Sequence, residues 1–98
     1  MIIIQSPVKL SPKAAGEIKK MLDTGKIPAD HGLRIGAREI SGGVVSHILG
    51  FDMKNEDDNE YISDGIRVFI HKNQVSQLAG MTVDYYDGPE AKGFTFMI

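Results

Sequence analysis

Turn-forming glycines and prolines interrupt the apolar pattern of this 98-residue chain so often that only one stretch offers a helix of several turns. That stretch starts at Ser11-Pro12. Ser11 has the oxygen to accept a free N–H of the first turn, and Pro12 suits the first helical position. Ala15, Ile18, Met21 and Leu22 follow at helical spacing, with Lys13, Glu17 and Lys20 turned elsewhere. Gly25 provides a left-handed stop and Pro28 blocks continuation.

The rest must be short strands, turns and one further short helix. Ile2 to Gln5 and Val8 to Leu10 read as strands broken at Pro7, which lacks the ladder N–H. Gly32 to Arg38 alternates as a half-buried strand. Glu39-Ile40-Ser41-Gly42-Gly43 reads as a turn. Val44 to Phe51 is strongly β-prone and mostly apolar on both faces, which predicts a central strand. The acidic run Asp52 to Glu60 reads as a solvated loop. Tyr61-Ile62 and Ile66 to Ile70 flank Ser63-Asp64-Gly65, a tight hairpin signal. Lys72 to Ala79 is a short helix with Val75 and Leu78 inward and Gly80 as its stop. Met81 to Tyr86 and Phe94 to Ile98 are strands joined by a loop over 87–93. The expected architecture is one α+β domain over residues 1–98, mainly β, with about seven short strands in small mixed sheets and two helices.

A chain of this length can bury roughly 60–70% of its unfolded surface, so it needs no cross-link to fold. It has no cysteine. That excludes disulfides, thiolate metal sites, cysteine-held iron–sulfur clusters and thiol nucleophiles. The net charge is −2, with +3 over residues 1–50 and −5 over residues 51–98. This balance disfavours a nucleic-acid partner. No run approaches the roughly 20 apolar residues of a membrane helix, and Met1 to Gln5 is too short for a signal core. A cytoplasmic protein with no membrane partner is expected.

From Val8 to Met97 the order of motifs resembles the HesB/IscA-type (A-type carrier) family of iron–sulfur cluster assembly. The resemblance rests on Val8-Lys9-Leu10-Ser11-Pro12-Lys13-Ala14-Ala15, Leu33-Arg34-Ile35-Gly36, Leu49-Gly50-Phe51-Asp52, Ser63-Asp64-Gly65-Ile66-Arg67-Val68-Phe69-Ile70, Val83-Asp84-Tyr85-Tyr86-Asp87-Gly88 and Gly93-Phe94-Thr95-Phe96. It implies a HesB-like fold, dimers or tetramers, and contacts with iron–sulfur assembly proteins. It also implies three cysteines. One would fall at Gly42, in the loop before the Leu-Gly-Phe-Asp stretch. The other two would form a Cys-Gly-Cys tail after Gly-Phe-x-Phe, which is not expected here because the sequence runs only to Ile98. Glycine offers no side chain, so the fold is transferred and the cluster site is not. The expected function is that of a degenerate HesB/IscA-like accessory or interaction protein that does not itself ligate a cluster, with no metal or other cofactor.

The competing reading is a metal or small-anion site that uses Glu39, Ser41 and His47 around Gly42 in place of cysteines. His47 lies on the Val45/Leu49/Phe51 strand face, where the resemblance commonly puts an aromatic. A single histidine without spaced partners is expected to be a core or interface imidazole. His31 is expected at a loop-to-strand junction and His71 at the start of a turn. Arg34 and Arg38 share a strand face and could frame an anion, but two solvated arginines are expected. The acidic run lacks the glycine and ligand order of an EF-hand loop. Asp64, Asp84 and Asp87 sit where capping accounts for them. No Gly-x-Ser-x-Gly elbow is present. The chain is therefore not expected to be an enzyme, a small hydrolase or transferase being the remote alternative.

Overall fold

The computed structural model describes residues 2–3 and 6–98, the first pair by backbone alone. The expected strand residues Ile4 and Gln5 lie outside the described residues. The elements in chain order are β1 (Ile2–Ile3), β2 (Lys9–Leu10), α1 (Pro12–Asp23), β3 (His31–Ser41), β4 (Val44–Met53), β5 (Asp58–Ser63), β6 (Ile66–His71), a single 3₁₀ turn (Lys72–Gln74), α2 (Val75–Leu78), β7 (Thr82–Asp87) and β8 (Lys92–Met97). A five-stranded mixed sheet has the order β1-β5-β6-β3-β4, and a three-stranded sheet has the order β2-β7-β8. The sequence thus yields the mainly β, two-helix α+β fold it predicts.

The start of α1 is tied to the smaller sheet through one side chain. Ser11 Oγ accepts from the Ala14 N–H at 3.0 Å and donates to Asp84 Oδ1 at 2.6 Å. The Ser11 N–H also donates to the Val83 carbonyl at 2.9 Å. Capping the helix and fixing β2 beside β7 are therefore one event. Ala14, Ala15 and Ile18 of α1 are buried with Val8, Leu10 and Val83 of the small sheet and with Leu33, Ile35, Val68 and Ile70 of the large one. The core is this layer between the sheets and α1.

Both tight hairpins use consecutive positive φ angles. Asp64 (51°) and Gly65 (78°) join β5 to β6, and Gly42 (56°) and Gly43 (82°) join β3 to β4. Two-residue loops of this hand match the twist of the strands they connect. The β3–β4 turn is shorter than the expected Glu39–Gly43 segment. β3 continues through Ser41, with a register shift between Glu39 and Ser41. The pairing Glu39↔Val45 and Ser41↔Val44 leaves only the two glycines to turn.

Three further expectations are corrected. First, β4 is not central. Among the described residues it pairs with β3 alone and ends the sheet, because the parallel partner of β3 on its other side is β6. Second, the acidic run is not a solvated loop. Asp52 and Met53 finish β4, only residues 54–57 connect, and Asp58 and Glu60 are buried in β5. Third, Arg34 is not a solvated arginine. Its guanidinium donates to both carboxylate oxygens of Asp58, to Asp52 Oδ2 at 3.0 Å and to the Met53 carbonyl at 2.9 Å. The Asn55 N–H adds a bond to Asp58 at 2.8 Å. Arg34 thus draws the acidic run inward, since a carboxylate is buried only with its charge matched and its lone pairs occupied. Glu60 is matched in the same way by Arg67 Nε at 3.0 Å.

β3 outruns β6, with which it pairs only at Leu33↔Val68 and Arg34↔Phe69. Past that point a side chain stands in for the missing strand. Gln74 Nε2 donates to the Ala37 carbonyl at 2.7 Å, and Gln74 Oε1 accepts from the Ala37 N–H at 3.1 Å. A carboxamide carries the same donor and acceptor as a peptide group, so the β3 edge is satisfied there.

Candidate functional site

The hairpin β3–β4 carries every residue singled out as a candidate: Glu39, Ser41, Gly42 and His47. The fold divides them. The pairings Leu33↔Phe51, Ile35↔Leu49, Ala37↔His47 and Glu39↔Val45 set one face of the hairpin toward α1 and the small sheet. His47 lies on this inner face. Its ring stacks on Phe96 of β8, with centroids 4.9 Å apart and planes 19° from parallel. Ser41 and Gly42 stand at the exposed tip.

Two clefts meet at His47. One, of about 440 Å³, lies between β4, β8 and α1. Leu49, Phe51, Phe94, Phe96, Ile18 and Met21 line it with His47, and no Asp, Glu, Lys or Arg lines it. The other, of about 610 Å³, brings Glu39 and His47 together with Arg38, Gln74 and Gln77. Ser41 and Gly42 line neither cleft. Phe94 and Phe96 were not singled out from the sequence. Their period-2 spacing beside Gly93 signals a shared face, but their neighbours come from strands about fifty residues away in the chain.

The Gly42 position is chemically empty. A Cβ built there would meet nothing within 4 Å. Its φ of 56° also suits glycine, because a Cβ strains the left-handed backbone. Among the described residues, no group of three or more His, Asp or Glu side chains stands close enough to hold a metal ion. None of their buried side-chain polar atoms lacks a hydrogen-bond partner. The hairpin is thus a poor match for a cluster. It has no thiolate and an open glycine tip, and the imidazole nearer that tip, His47, is stacked on a phenyl ring.

The remaining histidines and carboxylates serve structure. His71 accepts from the Asn73 N–H at 3.1 Å and opens the 3₁₀ turn, as expected. His31 begins β3, with Nδ1 2.9 Å from Asp30 Oδ1. Hydrogen bonds from Ser11 and the Tyr85 N–H hold the Asp84 carboxyl below the usual carboxylate range. The Arg34 guanidinium does the same for Asp58, and the Met53 N–H and Arg34 do so for Asp52.

No family model matches the chain. Individual relatives do. Over 93 residues the chain is 32% identical to the iron–sulfur cluster assembly 1 homolog, mitochondrial, of Mus musculus, and 31% identical to that of Homo sapiens. Each match covers 94% of this chain and 70% of the relative. Among solved structures, the fold is shared with Escherichia coli SufA, involved in biosynthesis of iron–sulfur clusters, at a TM-score of 0.78 and 22% identity. That match covers 92% of this chain and 78% of SufA. It is also shared with IscA bearing a [2Fe-2S] cluster, at a TM-score of 0.71 and 23% identity, covering 92% of this chain and 80% of that one.

Proposed function

The chain belongs to the iron–sulfur cluster assembly 1 (IscA-like, HesB-type) family, and from that premise we propose that it is an accessory protein of iron–sulfur cluster assembly that acts through protein contacts and ligates no cluster itself. One observation carries the reading: the chain has the family's fold and contains no cysteine. Iron–sulfur clusters are held by thiolates, with histidine replacing them only at particular irons. The hairpin that presents Gly42 offers neither a thiolate nor a second imidazole within reach. What the fold retains is a set of surfaces. The chain then works without catalysis, as a homo-oligomer and in contact with assembly proteins that do carry clusters. It is placed in the cytoplasm. The matched relatives are named mitochondrial, so cell fractionation with an antibody to this chain tests that part.

Anaerobic reconstitution with iron and sulfide tests the central claim. The expected result is a protein without charge-transfer absorption in the visible range and without bound sulfide. A stoichiometric brown cluster overturns the reading. Elemental analysis of the same purified material tests the oxygen and nitrogen alternative, for which the shared cleft of Glu39 and His47 speaks. Stoichiometric iron or zinc that is lost in His47→Ala would replace the accessory reading with that one.

A further inference from the structure

The cleft between β4, β8 and α1 reaches down to the core. Ile18 and Leu33 line it while being 0% and 1% exposed. Its walls are half-buried side chains, Leu49 and Phe51 of β4 and Phe94 and Phe96 of β8, which also pack against the core. Its volume, about 440 Å³, falls within the roughly 300–1,000 Å³ of small-molecule sites. Such sites join an apolar lining to a few polar groups that orient the ligand. Here that group is His47. His31 and His71 each engage Nδ1 within the chain, whereas His47 makes no side-chain hydrogen bond among the described residues. The stack on Phe96 fixes its ring and leaves its nitrogens able to bond a guest.

The lining also restricts what the guest can be. A peptide segment would bring an N–H and a C=O with every residue into a space where His47 is the one side chain bearing nitrogen or oxygen. A guest with a formal charge finds no Asp, Glu, Lys or Arg in this cleft. On the other side of His47, Arg38 and Glu39 line the neighbouring cleft together, so that side offers no net charge either. Three phenyl rings, those of Phe51, Phe94 and Phe96, favour a flat guest, since aromatic pairs gain from their mutual orientation beyond the area they bury.

We propose that this cleft binds a small uncharged aromatic molecule with one hydroxyl or carbonyl group, its rings against Phe51, Phe94 and Phe96 and its oxygen at His47. The site needs no thiolate, and it stands whether or not the chain serves cluster assembly.

Titration with 2-naphthol, followed by the fluorescence of the compound, tests this. The expected result is saturable binding of one molecule per chain, with the largest NMR shifts at the Leu49 methyls and the rings of Phe51, Phe94 and Phe96. Naphthalene, which lacks the oxygen, should bind about tenfold more weakly. The anion 2-naphthoate should be weaker than 2-naphthol by about tenfold or more. His47→Leu should bring 2-naphthol down to the affinity of naphthalene. Leu49→Trp and Met21→Trp each fill the cleft from a different element and should abolish binding, with circular dichroism and the thermal midpoint checking that each stays folded. Absence of saturable binding overturns the site, as does binding that shifts other residues or is indifferent to both filling variants. Equal or tighter binding of 2-naphthoate overturns the uncharged class. A preference for 2-naphthol over naphthalene that survives in His47→Leu overturns the role of His47.

Discussion

β6 and β4 both flank β3, and both are written in apolar, β-branched and aromatic residues. In β6, Ile66, Val68, Phe69 and Ile70 are all buried, held between β5 and β3. In β4 nothing is fully buried, and Val44 and Ile48 face outward. The difference teaches that strand composition reports what a strand is able to bury. Its place in the sheet sets what it does bury within one chain. β6 goes into the core of the chain, whereas β4 leaves much of its apolar surface exposed.

The widest separation between the two strands should appear in stability. Phe69→Ala removes a fully buried ring and should cost about 3–5 kcal/mol in chemical denaturation. Ile48→Ala, on the outer face of β4, should stay within about 0.5 kcal/mol when measured on dissociated protein. Equal losses would abolish the distinction.

The next effect tests what anchors the far end of β4. Asp58→Ala leaves the Arg34 guanidinium half-matched in a largely buried position and should cost about 3 kcal/mol. Asp52→Asn alters an exposed partner and should change little. The folded chain holds the Asp58 carboxyl below its ordinary value of 3.8. Its contribution is therefore complete above that value and lost as pH falls through the lower folded value. Acid titration of stability should show a downturn on the acid side of 3.8 that is reduced in Asp58→Ala; an unchanged downturn would remove Asp58 from the account.

Gln74→Ala probes the stretch of β3 that lies beyond β6. It strips both bonds from Ala37 and should cost about 1–3 kcal/mol, with faster hydrogen exchange at the Ala37 amide and little change at Leu33 or Arg34. The smallest effect belongs to the hairpin tip. Gly42→Ala meets no neighbour but must adopt a positive φ, and should cost about 1 kcal/mol in thermal unfolding. A stabilised variant would show that the turn does not need glycine there.

Much of this was legible along the chain. Ser11 and Pro12 announce the start of α1, Asp64-Gly65 announces the β5–β6 hairpin, and Gly25 and Gly80 mark helix ends, because caps and tight turns are local events set by one or two residues. The candidate hairpin could be located as well, but not its make-up. Glu39 and His47 share a cleft while Ser41 and Gly42 leave it, because the register shift between Glu39 and Ser41 is a property of two paired strands. Arg34 read as solvated for a related reason. Its partners lie eighteen and twenty-four residues away, across a strand and a turn.

The order of residues along the chain was enough to place both helices, most of the strands and the Asp64-Gly65 turn, and to show that no thiolate is present to hold inorganic sulfide. Those conclusions depend on local backbone preference and on the inventory of side-chain atoms. Which apolar strand lies inside a sheet and which lies at its rim, and whether an acidic residue points to solvent or to an arginine, depended on the folded molecule. Burial is settled by neighbours brought together from distant parts of the chain, and β6 took the interior position beside β3 while β4 was left at the edge.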